Sequence, residues 1–309
     1  MSTYETLTSI PDLSAVMRRI VAGMVPGIGT RHVADADPTS RIEVTGVTID
    51  PAALADYTRA TSLRYGNSLP PTYFFVLGFP LTMELMSRAD FPFAPVGSVH
   101  VANELTQTRA ARIDETFTFR AHAENLRPHR RGLLVDIITE VTADGSGEPV
   151  WTQKATMLGQ GASFAKTAPV ALATRGVDHA RPLTQAEALE VPGVAANAQW
   201  VLSRDTVRAY VAASGDSNPI HTSNLGAKAF GFPGVIAHGM LSAATVLRLL
   251  EGTLDRPLRY TVEFHKPVIV PARIAAWALY ADTATTNLQL RSASKPEKLH
   301  LNADVEFLS

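Results

Sequence analysis

The chain has 309 residues, of which 46% are hydrophobic and 18% are charged. A single hydrophobic core stops growing at about 250–300 residues, so this length favours two domains, and the composition argues against a disordered protein. The formal net charge is -1 and cysteine is absent. These facts exclude a global positive field that would recruit nucleic acid, and they exclude disulfides, thiolate metal sites and a cysteine nucleophile.

The N-terminal segment begins with polar and acidic residues and has no continuous apolar run behind basic residues. It therefore differs from a secretory signal peptide. No stretch of 18 uninterrupted apolar residues occurs in the sequence, so it contains no candidate transmembrane helix. We expect a cytoplasmic protein that does not insert into membranes.

In the first half of the chain, an apolar helix is expected to precede a series of strands. Residues 73–81 form the most apolar stretch, and residues 117–123 alternate apolar with polar side chains, which is typical of a half-buried strand. Ordinary core packing explains the aromatic residues of the helix, although they could also line a groove for an acyl chain. The residues concerned are Tyr73, Phe74, Phe75 and Leu77.

A connecting segment is predicted between the two halves. Residues 165–193 lose helix and strand periodicity and contain three prolines, which is typical of a linker. The sequence therefore predicts an N-terminal domain over residues 1–165, a linker over 166–193 and a C-terminal domain over 194–309.

The second half repeats the order of elements. Residues 204–213 form a short helix that Ser203 can cap, and residues 236–250 are apolar on nearly every side, which indicates a buried helix. Strands are expected to wrap around it, because residues 299–307 alternate with a period of two. Two further strands are predicted over residues 259–270 and 273–281.

The two halves look like two copies of one domain. Adding 161 to the residue number aligns residues 77–81 with 238–242. Few residues are identical in this alignment, but the overall sequence pattern is similar. A helix followed by consecutive strands predicts antiparallel pairing, because parallel strands need long crossovers. The expected fold class is α+β, with one curved antiparallel sheet around a central helix in each half.

Acid, base and turn residues are concentrated in residues 214–221, immediately before the buried helix. Asp216 and His221 are an acid and a base, and Pro219 stiffens the backbone between them. Such a pair can exchange protons with a substrate. The alternative is that this segment is only a turn, in which Asp216 accepts backbone hydrogen bonds.

A second segment, residues 232–240, favours the catalytic interpretation. It opens the buried helix, whose first N–H groups lack partners within the helix and whose dipole favours negative charge. Gly239 has no side chain that would block approach to these groups. The segment is therefore suited to stabilising an oxyanion.

The run YVAASGDSNPIH at 210–221, followed by IAHGM at 236–240, resembles the signature of the MaoC-like, (R)-specific enoyl hydratase family. Over its whole length, the chain is similar to two-domain actinobacterial 3-hydroxyacyl-thioester dehydratases. The resemblance implies a double hotdog fold and reversible addition of water to a trans-2-enoyl thioester carried by coenzyme A or acyl carrier protein in fatty-acid metabolism. It also implies that neither a metal nor an organic cofactor is needed.

The resemblance assigns roles to individual residues. Asp216 and His221 are expected to hold and activate one water molecule, and the Gly239 N–H to bind the thioester carbonyl. Asn218 is expected to position the acid and base, and Asn218 and His238 are assigned to substrate binding. One departure is that a serine found deeper in the central helix of some family members is replaced here by Leu247.

The first half offers no equivalent acid and base. The offset of 161 places Ala55 and Ala60 opposite the pair, and an alignment of Tyr57 with Tyr210 places Leu63 opposite Asp216. We therefore expect one active site per chain, in the C-terminal domain.

Two other functions remain open from the sequence. Hotdog proteins also include thioesterases, and a non-catalytic acyl-thioester-binding subunit would share the fold without turnover. Apart from the thioester substrate, no nucleic acid or membrane partner is expected. The chain would be a monomer or a homodimer.

Overall fold

The structure is a computed structural model that describes residues 3–23, 30–175, 191, 193–280 and 284–309. In chain order, the helices are α1 (Leu13–Ala22), α2 (Pro51–Thr61), α3 (Tyr73–Ser87), α4 (Val170–Ala173), α5 (Arg204–Ser214), α6 (Pro219–Thr222), α7 (Asn224–Ala229) and α8 (Gly239–Val246), with a 3-10 turn at Leu247–Leu250. The strands are β1 (Glu5–Leu7), β2 (Arg41–Thr48), β3 (Ser98–Gln107), β4 (Thr116–His129), β5 (Gly132–Ala143), β6 (Pro149–Gln160), β7 (Ala198–Leu202), β8 (Leu258–Phe264), β9 (Ala272–Tyr280), β10 (Thr285–Ser292) and β11 (Leu299–Phe307).

The chain forms two compact units that are discontinuous in sequence. The first contains the described residues within 3–48, 74–103 and 115–175, and the second contains those within 49–73, 104–114 and 191–309. The predicted domain boundaries stay a prediction. Most of the predicted linker, residues 176–190 and 192, lies outside the described residues.

In the first unit, strands wrap around the part of α3 that begins at Phe74. The strand order is β1-β2-β4-β5-β6, in which β2, β4, β5 and β6 are antiparallel neighbours. The Phe74 ring meets Phe117 at a centroid distance of 4.9 Å and Trp151 at 5.6 Å. These aromatic contacts anchor the helix to the sheet and form the core of the unit.

In the second unit, the sheet has the order β8-β11-β10-β9-β7, and all neighbours are antiparallel. The apolar helix α8 is buried along most of its length, and the Tyr260 hydroxyl donates to the carbonyl of Ala243 at 2.8 Å. The fold is therefore the expected α+β double hotdog, with a curved antiparallel sheet around a central helix in each unit.

The structure refines two details of the second unit. The central helix begins at Gly239 rather than 236, because Ile236 forms an antiparallel β-bridge with Ile269, which keeps the preceding segment extended. Three of the polar residues of β11 that alternate with its apolar ones, His300, Asn302 and Asp304, are also buried. The last two belong to a network in which the Asn287 amide donates to Asn302 and Asp304.

Helix α2 also belongs to the second unit, where it packs against α5. The Tyr57 and Tyr210 rings of the two helices lie 6.3 Å apart, and the Tyr57 hydroxyl shares a hydrogen bond with Thr72 at 2.7 Å. No helix among the described residues is long and apolar enough to cross a membrane.

Candidate active site

The loop that carries Asp216 is shaped by the end of α5. This helix begins after Ser203, whose hydroxyl accepts from the N–H of Thr206 at 3.0 Å, as predicted. It ends at Gly215, whose φ of 72° turns the chain sharply and favours glycine over a residue with a side chain. The Ser214 hydroxyl then accepts from the N–H of Asp216 at 3.2 Å, which fixes the backbone at the acid.

Asn218 supports both the acid and the base. Its N–H donates to Oδ1 of Asp216 at 3.2 Å, and its side-chain oxygen accepts from the N–H of Ile220 at 3.3 Å, which caps α6. Pro219 occupies the first position of α6, where its missing N–H is not needed. Because α6 carries His221, one asparagine orients the acid with its backbone and the base with its side chain.

The hydrogen bonds of His221 define its protonation state. Nδ1 lies 2.8 Å from the carbonyl oxygen of Ile236, and since a carbonyl can only accept, Nδ1 carries the proton. The pKa of His221 is lowered, mainly by burial and against the opposing effect of the Asp216 charge. The ring is therefore neutral at pH 7, and Nε2 has a free lone pair that can accept a proton.

His238 contacts both Asp216 and His221. Its ring is 3% exposed and stacks on His221 with a centroid distance of 3.6 Å and an interplanar angle of 25°. Nε2 donates to the backbone oxygen of Asp216 at 3.1 Å. Burial, reinforced by the neighbouring His221, lowers the pKa of His238 to about 3, so this ring is neutral as well. Within the described part of the chain, its buried Nδ1 has no hydrogen-bond partner.

Gly239 follows His238 directly and is the first residue of α8. A β-carbon placed on Gly239 would lie 3.0–3.2 Å from three ring carbons of Phe264, so the close packing of this strand residue favours glycine. The N–H groups of the first helical turn have no partner within the helix, and the helix dipole favours negative charge at this end. The site thus has a candidate oxyanion donor next to the histidine pair.

The structure brings Asp216, His221 and His238 together, with one nitrogen or carboxylate oxygen from each lying within 4.8 Å of the others. Such a group could be considered for a metal ion. However, a metal lies in the plane of each ligating imidazole at about 2.0–2.1 Å from nitrogen, and the two rings here are stacked nearly parallel. Their lone pairs therefore do not converge on one point, and the arrangement is better suited to proton transfer.

Ser214 and Tyr210 are supporting residues whose role was not apparent from the sequence. The Ser214 hydroxyl donates to the carbonyl of Tyr210 at 2.7 Å while accepting from Asp216, and the Tyr210 ring lies 4.9 Å from that of His238. Both residues fall within the quoted motif. The spacing could have identified Ser214, because a serine four residues after Tyr210 in a helix can donate its hydroxyl to the Tyr210 carbonyl.

Comparisons with known proteins identify the family to which this chain is similar. A family model described as a MaoC-like domain matches residues 179–293. The 3-hydroxyacyl-thioester dehydratase X of Mycobacterium tuberculosis is 39% identical over 290 residues, which cover 94% of this chain and 96% of that protein.

Solved structures give a consistent result. A crystal structure of HtdX from M. tuberculosis has 38% sequence identity and a TM-score of 0.72, covering 87% of this chain and 100% of that one. A MaoC-like dehydratase from Phytophthora capsici, at 17% identity and a TM-score of 0.69, covers 91% of this chain and 98% of its own. At that identity, the second match supports the fold alone.

Proposed function

Because the chain belongs to the MaoC-like 3-hydroxyacyl-thioester dehydratase family, we propose that it interconverts (R)-3-hydroxyacyl and trans-2-enoyl thioesters by removal or addition of water. It is a hydro-lyase by this assignment. The observation that carries the proposal is the approach of Asp216 and His221 to within 4.8 Å, beside the free end of α8. The catalytic roles of individual residues are part of the proposal.

In the hydration direction, a water molecule is held between the Asp216 carboxylate and Nε2 of His221. His221 takes a proton from the water as the oxygen bonds to C3 of the enoyl group, and the electrons of the C2–C3 double bond move onto the thioester carbonyl. The Gly239 N–H stabilises the resulting oxyanion. The imidazolium of His221, stabilised by Asp216, then delivers its proton to C2. Dehydration is the reverse sequence.

Asn218 and His238 act mainly on the catalytic pair in this proposal. Asn218 bonds to the Asp216 carboxylate and caps the helix of His221. His238 supports the backbone of Asp216 and stacks on His221, and its low exposure favours a positioning role over direct substrate contact. A neutral stacked ring also keeps a second positive charge away from His221.

The proposal is tested by following the absorbance of crotonyl-CoA and of longer enoyl thioesters on addition of the enzyme. We expect loss of the enoyl absorbance without release of free thiol, and a product of (R) configuration on chiral analysis. Thiol release with unchanged enoyl absorbance would instead identify a thioesterase. Binding without turnover, across chain lengths and with both coenzyme A and acyl carrier protein, would identify a non-catalytic subunit.

The cytoplasmic location and the monomeric or homodimeric state stay predictions. Size-exclusion chromatography with light scattering distinguishes the two oligomeric states. The absence of a cofactor requirement is tested by assaying the protein after dialysis against a chelator, which should leave the hydration rate unchanged.

A further inference from the structure

Basic side chains are concentrated at one end of the second sheet, in a group of five residues that we call the rim cluster: His265, Lys266, Arg291, Lys295 and Lys298. Backbone hydrogen bonds hold the segments of this cluster together. The N–H of Lys266 donates to Leu299 at 3.1 Å, and the N–H of Ser292 donates to Lys298 at 3.1 Å. The cluster therefore combines the end of β8, the end of β10 and the start of β11.

The charge of the rim cluster is not neutralised by the protein. Its four lysine and arginine residues face two local glutamates, Glu263 and Glu297, which leaves a charge of +2 at pH 7 although the whole chain carries -1. Among the described residues, the lysines and Arg291 make no salt bridge with a carboxylate. The lysines lie on the surface, with Lys266 and Lys295 exposed.

Arg291 is the most informative member of the cluster. It is only 8% exposed, and its guanidinium donates to two neutral acceptors, the side chain of Gln289 and the carbonyl of Pro296, both at 2.8 Å. Burial lowers its pKa. A largely buried cation without a carboxylate partner is costly, and a bound anion would offset this cost.

The rim cluster lies next to the proposed oxyanion donor. Phe264 packs against Gly239 and is followed directly by His265 and Lys266. Two residues further on, the carbonyl of Val268 accepts from the N–H of Ala237, just before α8. These contacts join the segment that carries His265 and Lys266 to the N-terminal end of α8, where Gly239 lies.

We propose that the rim cluster binds the phosphate groups of a coenzyme A thioester, so that coenzyme A rather than an acyl carrier protein presents the substrate. This inference rests on the proposed function. Lysine and arginine are the side chains that bind phosphate, and several phosphates on one ligand match several unneutralised cations. The acyl group and the phosphates would then be held at opposite ends of the pantetheine arm.

The test compares crotonyl-CoA with crotonyl-pantetheine, which has the same thioester but no phosphate. The triple variant K266Q/K295Q/K298Q should raise KM for crotonyl-CoA about tenfold with kcat nearly unchanged, because each exposed ion pair contributes modestly. KM for crotonyl-pantetheine should not change. Arg291 is left intact because it is part of the buried network, and Lys166→Gln, an exposed lysine of the first unit, serves as the matched control with both substrates.

Three outcomes would overturn the proposal: an equal effect of the triple variant on both thioesters, no effect on either, or a loss confined to crotonyl carried by acyl carrier protein. The last result would identify a protein-docking surface. If the unmodified enzyme hydrates neither thioester, the proposed function fails separately. Calorimetry with adenosine 3′,5′-bisphosphate then still tests the cluster, because the triple variant should bind this probe about tenfold more weakly and an equal affinity would contradict the proposal.

Discussion

Two loops of the second unit follow helices that end in the same way, and only one of them carries an acid and a base. Helix α2 ends at Ser62, with a φ of 58°, and α5 ends at Gly215, with a φ of 72°. Tyr57 and Tyr210 lie five residues before these turns and have their rings 6.3 Å apart. The helices therefore correspond with an offset of 153 residues, which is the alignment of the two tyrosines rather than the offset of 161.

The correspondence extends to the last hydroxyl of each helix. The Thr61 hydroxyl donates to the carbonyl of Tyr57 at 2.9 Å, as the Ser214 hydroxyl does to the carbonyl of Tyr210 at 2.7 Å. The turn after α2 thus forms without an acid, because buried Leu63 occupies the position that corresponds to Asp216. In the proposed mechanism, the shared turn supports structure, and the acid and base support catalysis.

The largest expected effect comes from removing the pair that distinguishes the two loops. Asp216→Asn and His221→Ala should each lower kcat for crotonyl-CoA hydration by about two to four orders of magnitude, because each removes a group that moves or stabilises a proton in the transition state. Ser68→Ala, at the position of the first loop that corresponds to His221, is the matched control and should leave kcat unchanged. Hydration that survives both substitutions would refute the assigned roles.

Exchanging the residues at the corresponding positions should separate stability from activity. Leu63→Asp should lower the free energy of unfolding by about 2–4 kcal/mol, because it buries an unpaired carboxyl group and removes apolar packing. Asp216→Leu should abolish hydration but cost much less stability, since Asp216 is partly exposed. Urea denaturation of both variants measures the difference. Equal losses of stability would show that the two positions have similar packing.

How far the sequence could predict this site depends on the range of the contacts. The loop at Asp216 and His221 and the cap at Ser203 could be predicted because their residues are close in sequence. The stacking of His238 on His221 depends on the return of the chain to α8. Its strong pKa shift also comes from burial by distant elements, which no local pattern reveals.

The same limit explains the differences at the second sheet. Alternation along β11 predicted which residues face α8, but it could not show that Asn302 and Asp304 on the other side would also be buried. Their burial depends on hydrogen bonds from Asn287 of the neighbouring strand. Likewise, the start of α8 is set by the pairing of residues 236–237 with other segments, and apolar periodicity alone placed it three residues early.

The pH dependence of activity should reveal the effect of the Asp216 charge on the pKa of His221. The lowered pKa of His221 means that the base is neutral above this pKa, so kcat/KM should fall as the pH decreases through a value below 6.5. The Asp216 charge opposes this lowering, so Asp216→Asn should move the His221 titration to still lower pH. NMR of the His221 ring measures this shift even in a weakly active variant. A shift to higher pH would contradict the electrostatic role of Asp216.

The smallest effect should come from the hydroxyls that the two helices share. Ser214→Ala and Thr61→Ala each remove a hydrogen bond to the preceding helical turn, so each should lower the free energy of unfolding by about 1 kcal/mol. Only the Ser214 hydroxyl also accepts from the N–H of Asp216, so only Ser214→Ala should reduce kcat, by a few fold, and Ser214→Thr should restore it. If both alanine variants lose stability equally and neither loses activity, the turn after α5 is held by Gly215 and Asn218 without help from the hydroxyl.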